Sequence, residues 1–389
     1  MEKLRLGIIG IGNMGAIHVN HILNGKCPDI EIVAVADINP ARIEWGKNTW
    51  GDKLVYFNTA EEMLDSGLID SCLVAVPHYD HPKYAIECMK RNIHVMVEKP
   101  AGVYTKQVRE MIDESKKHEA VFGMMFNQRA SSIYKKMYEL VHSGKYGQIR
   151  RTNWIITNWY RPQAYYDSGD WRATWSGEGG GVLLNQCPHQ LDLWQWICGM
   201  PVKVQAKIKY GQWHDIEVDD DVTAFVEYAN GATGVFVTTT GDASGTNRFE
   251  IQMDKAKIVA EGNDLTLIEF DVSEPEFTKT NKAPFGTVPQ KEVPAEHDGL
   301  TPHHPAVLNA WSDCILRGGK MIAGGEEGIN GLTLSNAMHL SSWLGREIEL
   351  PIDEDLYYEE LMKRVATSRR KAPVETVFAD TSSTYGGSK

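Results

Sequence analysis

The sequence predicts an α/β protein. A doubly wound parallel sheet takes roughly the first third, and an α+β domain built on a mainly antiparallel sheet follows. Three observations predict this. A G-x-G-x-x-G run sits between a short apolar strand and a helical segment near the N-terminus. Apolar runs without alternation then exchange with helical stretches up to Phe126, the pattern of strands buried on both faces. Beyond that point hairpin signals take over, with little helix between them. Residues 1–126 are therefore assigned to a dinucleotide-binding domain. Residues 127–370 are assigned to a substrate-binding and oligomerisation domain, and 371–389 to a polar tail.

In the first domain, LRLGII (4–9) reads as a strand and GIGNMG follows it, placing Gly10, Gly12 and Gly15 in fingerprint spacing. AIHVNHIL then has helical apolar periodicity. The glycines permit a tight turn, close approach to a pyrophosphate, and close helix–strand packing, while the helix N-terminus offers amide donors. Asn13 and Met14 lie inside this turn and are candidate cofactor contacts. The strand EIVAVAD ends at Asp37, about 20 residues beyond the glycines, where a carboxylate bonds the ribose hydroxyls of NAD. Such a carboxylate repels the 2′-phosphate of NADP, although nearby Arg42 leaves some tolerance for it. The competing reading of Asp37 is a turn residue that opens a helix. DSCLVAVP (70–77) reads as a strand, HPKYAIECMKRN (81–92) as a helix and HVMVEKP (94–100) as a strand. Ligands bind beyond the carboxyl ends of such strands, which puts Val76, Pro77, His78, Glu98 and Lys99 at the cofactor.

In the second domain, residues 131–144 read as an amphipathic helix ended by Gly144. Residues 148–160, 202–213 and 221–240 read as strands, with Asn230-Gly231 a hairpin signal, and 248–270 as further antiparallel strands. Residues 272–304, rich in proline and charge, read as a long connection. Residues 305–318 and 328–345 read as helices that return to the body.

Composition narrows the function. The chain has 389 residues, 42% hydrophobic and 24% charged, within the range of ordinary globular proteins. Its net charge of -12, with no dense Lys/Arg stripe, argues against a nucleic-acid partner. No apolar run approaches the roughly 20 residues of a membrane helix. The first residues enter a strand at once, without a cationic leader, and a cytoplasmic protein is expected. Six cysteines without a CxxC pair predict neither a disulfide framework nor a zinc site, and no metal is expected.

GIIGIGNMG, VAVPHYDHP, VMVEKPAG, FNQR and GGGVLLNQCPHQLDLWQWICGMP occur in this order. Together they resemble the Gfo/Idh/MocA family of sugar and polyol oxidoreductases, over at least residues 4–201. The resemblance implies a Rossmann domain followed by an open, largely antiparallel sheet, and NAD as cofactor. It also implies a homo-oligomer, Lys99 near nicotinamide and substrate, and a cis Lys99–Pro100 bond. Asn127, within FNQR, is assigned to the cofactor.

Residues 153–175 are crowded with Trp and Tyr, against 9% aromatics in the whole chain. Aromatic faces pack on the C–H faces of sugars. Tyr160, Arg161 and Trp171 are the leading substrate candidates, and Arg172 a candidate cofactor contact. Lys99, Asn185 and His189 are the candidate catalytic groups, with Asn185 and His189 also touching substrate. Oxidising an alcohol needs a base with a pKa near working pH. His189 has one without adjustment, whereas Lys99 needs burial or a nearby positive charge to lower its own. Taken alone, His189 is equally well read as packing the helix that Pro188 starts. Many members of the resembled family carry aspartate at the position of Asn185. An amide neither accepts a proton nor stabilises an imidazolium, so the proton falls to His189 or Lys99. Pro188 would also disturb a helix running through 185–189.

The sequence thus predicts an NAD-dependent dehydrogenase of a secondary alcohol on a pyranose or glycoside, with C3 oxidation a further expectation. The alternatives are an inositol or polyol dehydrogenase, or a glycosidase that keeps its NAD and uses Tyr160 or Tyr166 as an extra base. A non-catalytic NAD-binding regulator is disfavoured by the presence of both Lys99 and His189.

Overall fold

A computed structural model describes residues 3–369 and 371. The expected polar tail therefore lies outside the described residues, Lys371 aside. Six parallel strands form the first sheet: β1 (Leu4–Ile9), β2 (Ile30–Ala36), β3 (Val55–Phe57), β4 (Ser71–Val74), β5 (His94–Val97) and β6 (Phe122–Met124). Their order is β3-β2-β1-β4-β5-β6, that of a dinucleotide-binding Rossmann sheet. The crossover helices are α1 (Asn13–Leu23), α2 (Pro40–Trp50), α3 (Ala60–Leu64), α4 (His81–Lys90) and α5 (Thr105–Ser115). β4 is buried along its whole length, as its unbroken apolar run requires. The chain order reverses between β1 and β4, which opens a crevice beyond their carboxyl ends.

The second sheet follows α6 (Ser132–His142). It contains β7 (Ile149–Ile156), then, beyond α7 (Gln163–Asp167) and α8 (Pro188–Cys198), the strands β8 (Lys203–Tyr210), β9 (Asp219–Glu227), β10 (Thr233–Thr239), β11 (Asn247–Met253), β12 (Ala256–Glu261) and β13 (Asp264–Phe270). α9 (Glu274–Thr280) leads to β14 (Gln290–Pro294). α10 (His303–Arg317), α11 (Gly328–Leu344), β15 (Ile348–Glu349) and α12 (Glu354–Ala366) complete the described chain. The strand order is β14-β13-β12-β11-β7-β10-β9-β8-β15. All pairs are antiparallel except β7–β10. The hairpin expected at Asn230-Gly231 is present, with Gly231 at φ 81° and the Asn230 Oδ1 accepting from Ala232 N at 3.0 Å.

One expectation is corrected and one is met: the long connection over 272–304 carries elements of its own, and Pro188 does interrupt the helix between 185 and 189. Ser273 Oγ accepts from Glu276 N to cap α9, and β14 adds an edge strand on β13. β14 is exposed over most of its length, so it carries no burial pattern to read. The helix around His189 begins only at Pro188. Asn185 belongs to a separate π-helical turn, Val182–Gln186.

α10 and α11 bind the halves together. Val307, Leu308 and Trp311 of α10 join the core under β1 and β2. Arg129, in the turn after β6, is 1% exposed and grips α8 through a two-pronged pair with Asp192, at 2.7 and 2.6 Å. Its third nitrogen meets Glu327 beside α11 at 2.5 Å. A buried charge stripped of its partner costs about 3–5 kcal/mol. Arg129→Met is expected to lower unfolding free energy by about that much, and Arg129→Met/Asp192→Leu to recover most of the loss. Urea titrations of the two variants check this.

Candidate active site

The glycine turn is shaped for close approach. Gly10 has φ 87°, and a Cβ there would lie 2.5 Å from Ala75 O. A Cβ on Gly15 would stand 1.9 Å from Gly10 O. Gly12 faces open space. The N-terminus of α1 has neither a side-chain cap nor an acidic residue in its first turn. Its amides are thus left for an anion. Asn13 and Met14 occupy that turn, partly buried. Asp37 ends the second strand with its carboxylate accepting from Ile11 N at 2.9 Å and Asn39 N at 2.8 Å. Each oxygen keeps a lone pair for a ribose hydroxyl. Arg42 stands beside it; burial pulls its pKa down and the Asp37 charge opposes this. Asn127 is buried with no partner for its Oδ1, a polar atom that a carboxamide can satisfy. These features fit NAD.

β5 runs into Glu98, Lys99 and a cis Lys99–Pro100 bond. His81 ties this turn to β4, with its ring nitrogens 2.6 Å from Pro100 O and 2.8 Å from Val76 O. Pro77 is exposed and Val76 partly buried. Glu98 was expected at the cofactor, but its carboxylate turns back to His18 Nε2 at 2.7 Å. Burial raises its pKa, but the hydrogen bond to His18 and the positive groups around it outweigh this and hold it at about 2. Among the described residues His18, Glu98 and His304 also form a set of metal-ligand types within 4.8 Å of one another. No motif marks this cluster in the sequence, and His18 Nε2 is already engaged by Glu98.

Lys99 Nζ donates to the backbone oxygen of Asn185 at 3.0 Å. Burial lowers the lysine pKa from its ordinary value; Glu98 and Glu178 raise it, and Arg172 and Arg161 lower it. His189, second residue of α8, is 6% exposed and its Nδ1 has no partner. Burial first, and the Lys99 charge second, push its pKa well below the ordinary histidine value. His78 is buried too, with Nδ1 3.2 Å from Glu178 O, and its pKa is lowered for similar reasons.

The aromatic segment divides. Trp171 sets its edge against His78 at 5.7 Å. Arg172 stacks on Trp171 and Tyr165, donates to Tyr165 Oη at 2.9 Å and stands 3.7 Å from Glu178 Oε1. Arg172 thus stands between the aromatic rings and Glu178. Arg161 lies over Trp159 and Tyr165, with its Nε unpartnered. Tyr160 is 47% exposed. Its backbone oxygen accepts from Arg161, and the structure does not join its ring to the cluster.

Glu178 was overlooked. It is 2% exposed, its Oε2 accepts from Ala173 N at 2.6 Å, and its Oε1 accepts from the Asn185 side chain. The signal available was a lone carboxylate among glycines, between Trp175 and a long apolar run. Asp219, at the start of β9, fixes the segment. It accepts from Gly181 N at 2.6 Å, Leu183 N at 2.8 Å and His339 Nε2 at 2.9 Å.

A Rossmann crevice with a partly buried lysine, a buried histidine and an aromatic wall beside it defines an NAD-binding oxidoreductase. Comparison with known proteins agrees. Residues 4–126 match the oxidoreductase family with an NAD-binding Rossmann fold, and residues 134–259 match the GFO/IDH/MocA C-terminal domain. The chain belongs to the Gfo/Idh/MocA family. It is 26% identical over 200 residues to the rhizopine catabolism protein MocA of Rhizobium meliloti, a match covering 51% of this chain and 58% of that protein. Against the D-glucoside 3-dehydrogenase of Escherichia coli it is 25% identical over 367 residues, 90% of this chain and 98% of that protein. The WlbA dehydrogenase of Bordetella pertussis, solved with NADH and UDP-GlcNAcA, has the same fold. Its TM-score is 0.77 at 24% identity, covering 91% of this chain and 99% of that one.

Because Gly12 faces open space, Gly12→Ala is expected to fold with an unchanged melting temperature. The new methyl group stands where a pyrophosphate approaches, so NADH binding should weaken at least about tenfold, or ~1.4 kcal/mol. Quenching of protein fluorescence by NADH measures it.

Proposed function

We propose that this enzyme oxidises a secondary hydroxyl of a pyranose sugar or glycoside, at C3 to give a 3-oxo sugar. The observation that carries the reading is the partly buried Lys99 ammonium, 3.0 Å from Asn185 O and facing Arg161 and Arg172 of the aromatic segment. The match to a D-glucoside 3-dehydrogenase over 98% of that protein's length supports the substrate class and the carbon.

NAD, when bound, accepts the hydride. The chain handles the proton. Both Lys99 and His189 have lowered pKa values, but lysine starts far above neutrality and histidine near it. Burial therefore brings Lys99 toward the useful range and takes His189 out of it. Lys99 accepts the hydroxyl proton, and neutral His189 orients the hydroxyl through its free ring nitrogen. Asn185 presents its side-chain oxygen to a second hydroxyl, because its amide nitrogen is spent on Glu178. Trp171 and Tyr165 supply sugar-binding surface. The glycosidase alternative needs another base. Tyr166 donates its hydroxyl to Thr240 Oγ1 at 2.8 Å and burial raises its pKa, while Tyr160 faces solvent. Neither favours elimination.

A second copy packing on the uncovered sheet face, where Ile155 and Phe225 are exposed, and a cytoplasmic location complete the proposal. Among the described residues no helix is long and apolar enough to cross a membrane.

NADH absorbance with a panel of sugars, inositols and glycosides tests the reading. A rise with pyranosides is expected. Free aglycone without NADH would overturn it in favour of the glycosidase. Lys99→Ala should lose about 10²–10⁴ in kcat while keeping NADH affinity. Because the neutral amine is the base, wild-type oxidation should rise with pH through a pKa below lysine's ordinary value. Reduction should fall over the same range. Initial rates across pH in both directions check the sign.

A further inference from the structure

We propose that Glu178 is the counter-charge and positioning residue of the catalytic lysine, acting through the Asn185 amide rather than by touching substrate. The inference rests on the dehydrogenase reading above and names a residue that reading does not require.

Lys99 is surrounded mainly by cations and imidazoles. Arg161 and Arg172 face it from the aromatic segment, and the rings of His78, His81 and His189 from three other elements. Two carboxylates oppose them. Glu98, the adjacent residue, is held by His18 on the far side. Glu178 is the carboxylate on the substrate side, and its position is fixed by the Ala173 amide at 2.6 Å and Arg172 at 3.7 Å. Burial raises the Glu178 pKa, and Arg172, the Ala173 amide and the Asn185 amide oppose that rise and favour the ionised form. An ionised carboxylate only accepts hydrogen bonds, so the Asn185 side chain turns its nitrogen to Glu178 and its oxygen outward. The same residue's backbone oxygen receives Lys99 Nζ. Glu178 thereby sets two things at once: which end of Asn185 meets substrate, and how readily Lys99 keeps its proton.

Glu178→Gln removes the charge and keeps the shape. Its amide nitrogen would face the Asn185 nitrogen, donor against donor, and Asn185 is driven to flip. Without the negative charge Lys99 loses its proton more easily, so the acid limb of kcat/KM for oxidation should move down by about one pH unit. In parallel kcat should fall at least tenfold, with NADH affinity unchanged. The cofactor-free protein gives a readout independent of turnover. The pH midpoint of Lys99 acetylation by acetic anhydride, followed by peptide mass spectrometry, should fall by a similar amount. Glu178→Gln/Asn185→Asp exchanges carboxylate and amide across the same hydrogen bond and should return the midpoint toward wild type. A midpoint that does not move in Glu178→Gln, or that the double variant fails to restore, overturns the inference. If wild type turns over and Lys99→Ala does not, that result leaves the dehydrogenase reading standing. If wild type forms no NADH with any sugar, polyol or glycoside, the dehydrogenase reading falls even where the midpoint moves. If Lys99→Ala oxidises substrate at the wild-type rate, Lys99 is not the base and the inference falls with that role. Should Glu178→Gln not fold, Glu178→Asp, which retains the charge, must fold and leave the Lys99 midpoint at the wild-type value.

Discussion

The candidate site depends on one buried carboxylate. Asp219 is fully buried and receives three donors: two backbone amides of the glycine-rich segment and the His339 ring. The segment can lie this close only because residue 181 is glycine; a Cβ there would stand 1.9 Å from Asp219 O. The contact stitches a loop to the edge of a β-strand and starts the π-helical turn in register. The groups that follow Gly181 take their places from that register. The Asn185 backbone oxygen, the Asn185 side chain and the start of α8 follow within eight residues of Gly181. Buried amides must find acceptors, and a buried carboxylate must find donors. Each therefore solves the other's problem.

The first sheet was legible because its signals are local. A strand, a glycine turn and a helix follow one another within a few residues, and the order of strands then follows from the doubly wound pattern. Much of the second sheet was legible for a similar reason, since hairpins join neighbours in sequence. The parallel pairing of β7 with β10 was not, because nothing in either strand marks a partner about 80 residues away. α9 and β14 were missed because they sit on the surface, where burial leaves no period in the sequence.

The candidate site was legible in its types and not in its arrangement. Lys99, Asn185 and His189 stand near one another, yet Asn185 and His189 lie on separate turns. Pro188 takes the first position of α8, where a missing N–H costs nothing, and so ends the turn before it. Glu98 and Glu178 show how little the local sequence says of direction. Glu98 lies in a recognisable motif but faces His18. Glu178 lies in a glycine run that reads as loop, yet it is the carboxylate beside the substrate groups. A side chain's direction is set by its tertiary neighbours, and no local pattern encodes it.

The proposed proton transfer suits a lysine better than a histidine at this position. Burial disfavours charge on either side chain, but they start from opposite sides of neutrality. A buried histidine becomes too weak a base, while a buried lysine becomes a moderate one. The lysine must still be protonated for part of each cycle, so its surroundings need negative charge close by. A carboxylate in direct contact would lock the ammonium in place and remove its basicity. Glu98 is turned toward His18, and Glu178 stands one amide removed, so neither grips the ammonium. The positive charge of a bound nicotinamide ring would push the same proton off once more. The lysine is thereby poised between two charge states by groups that need not move.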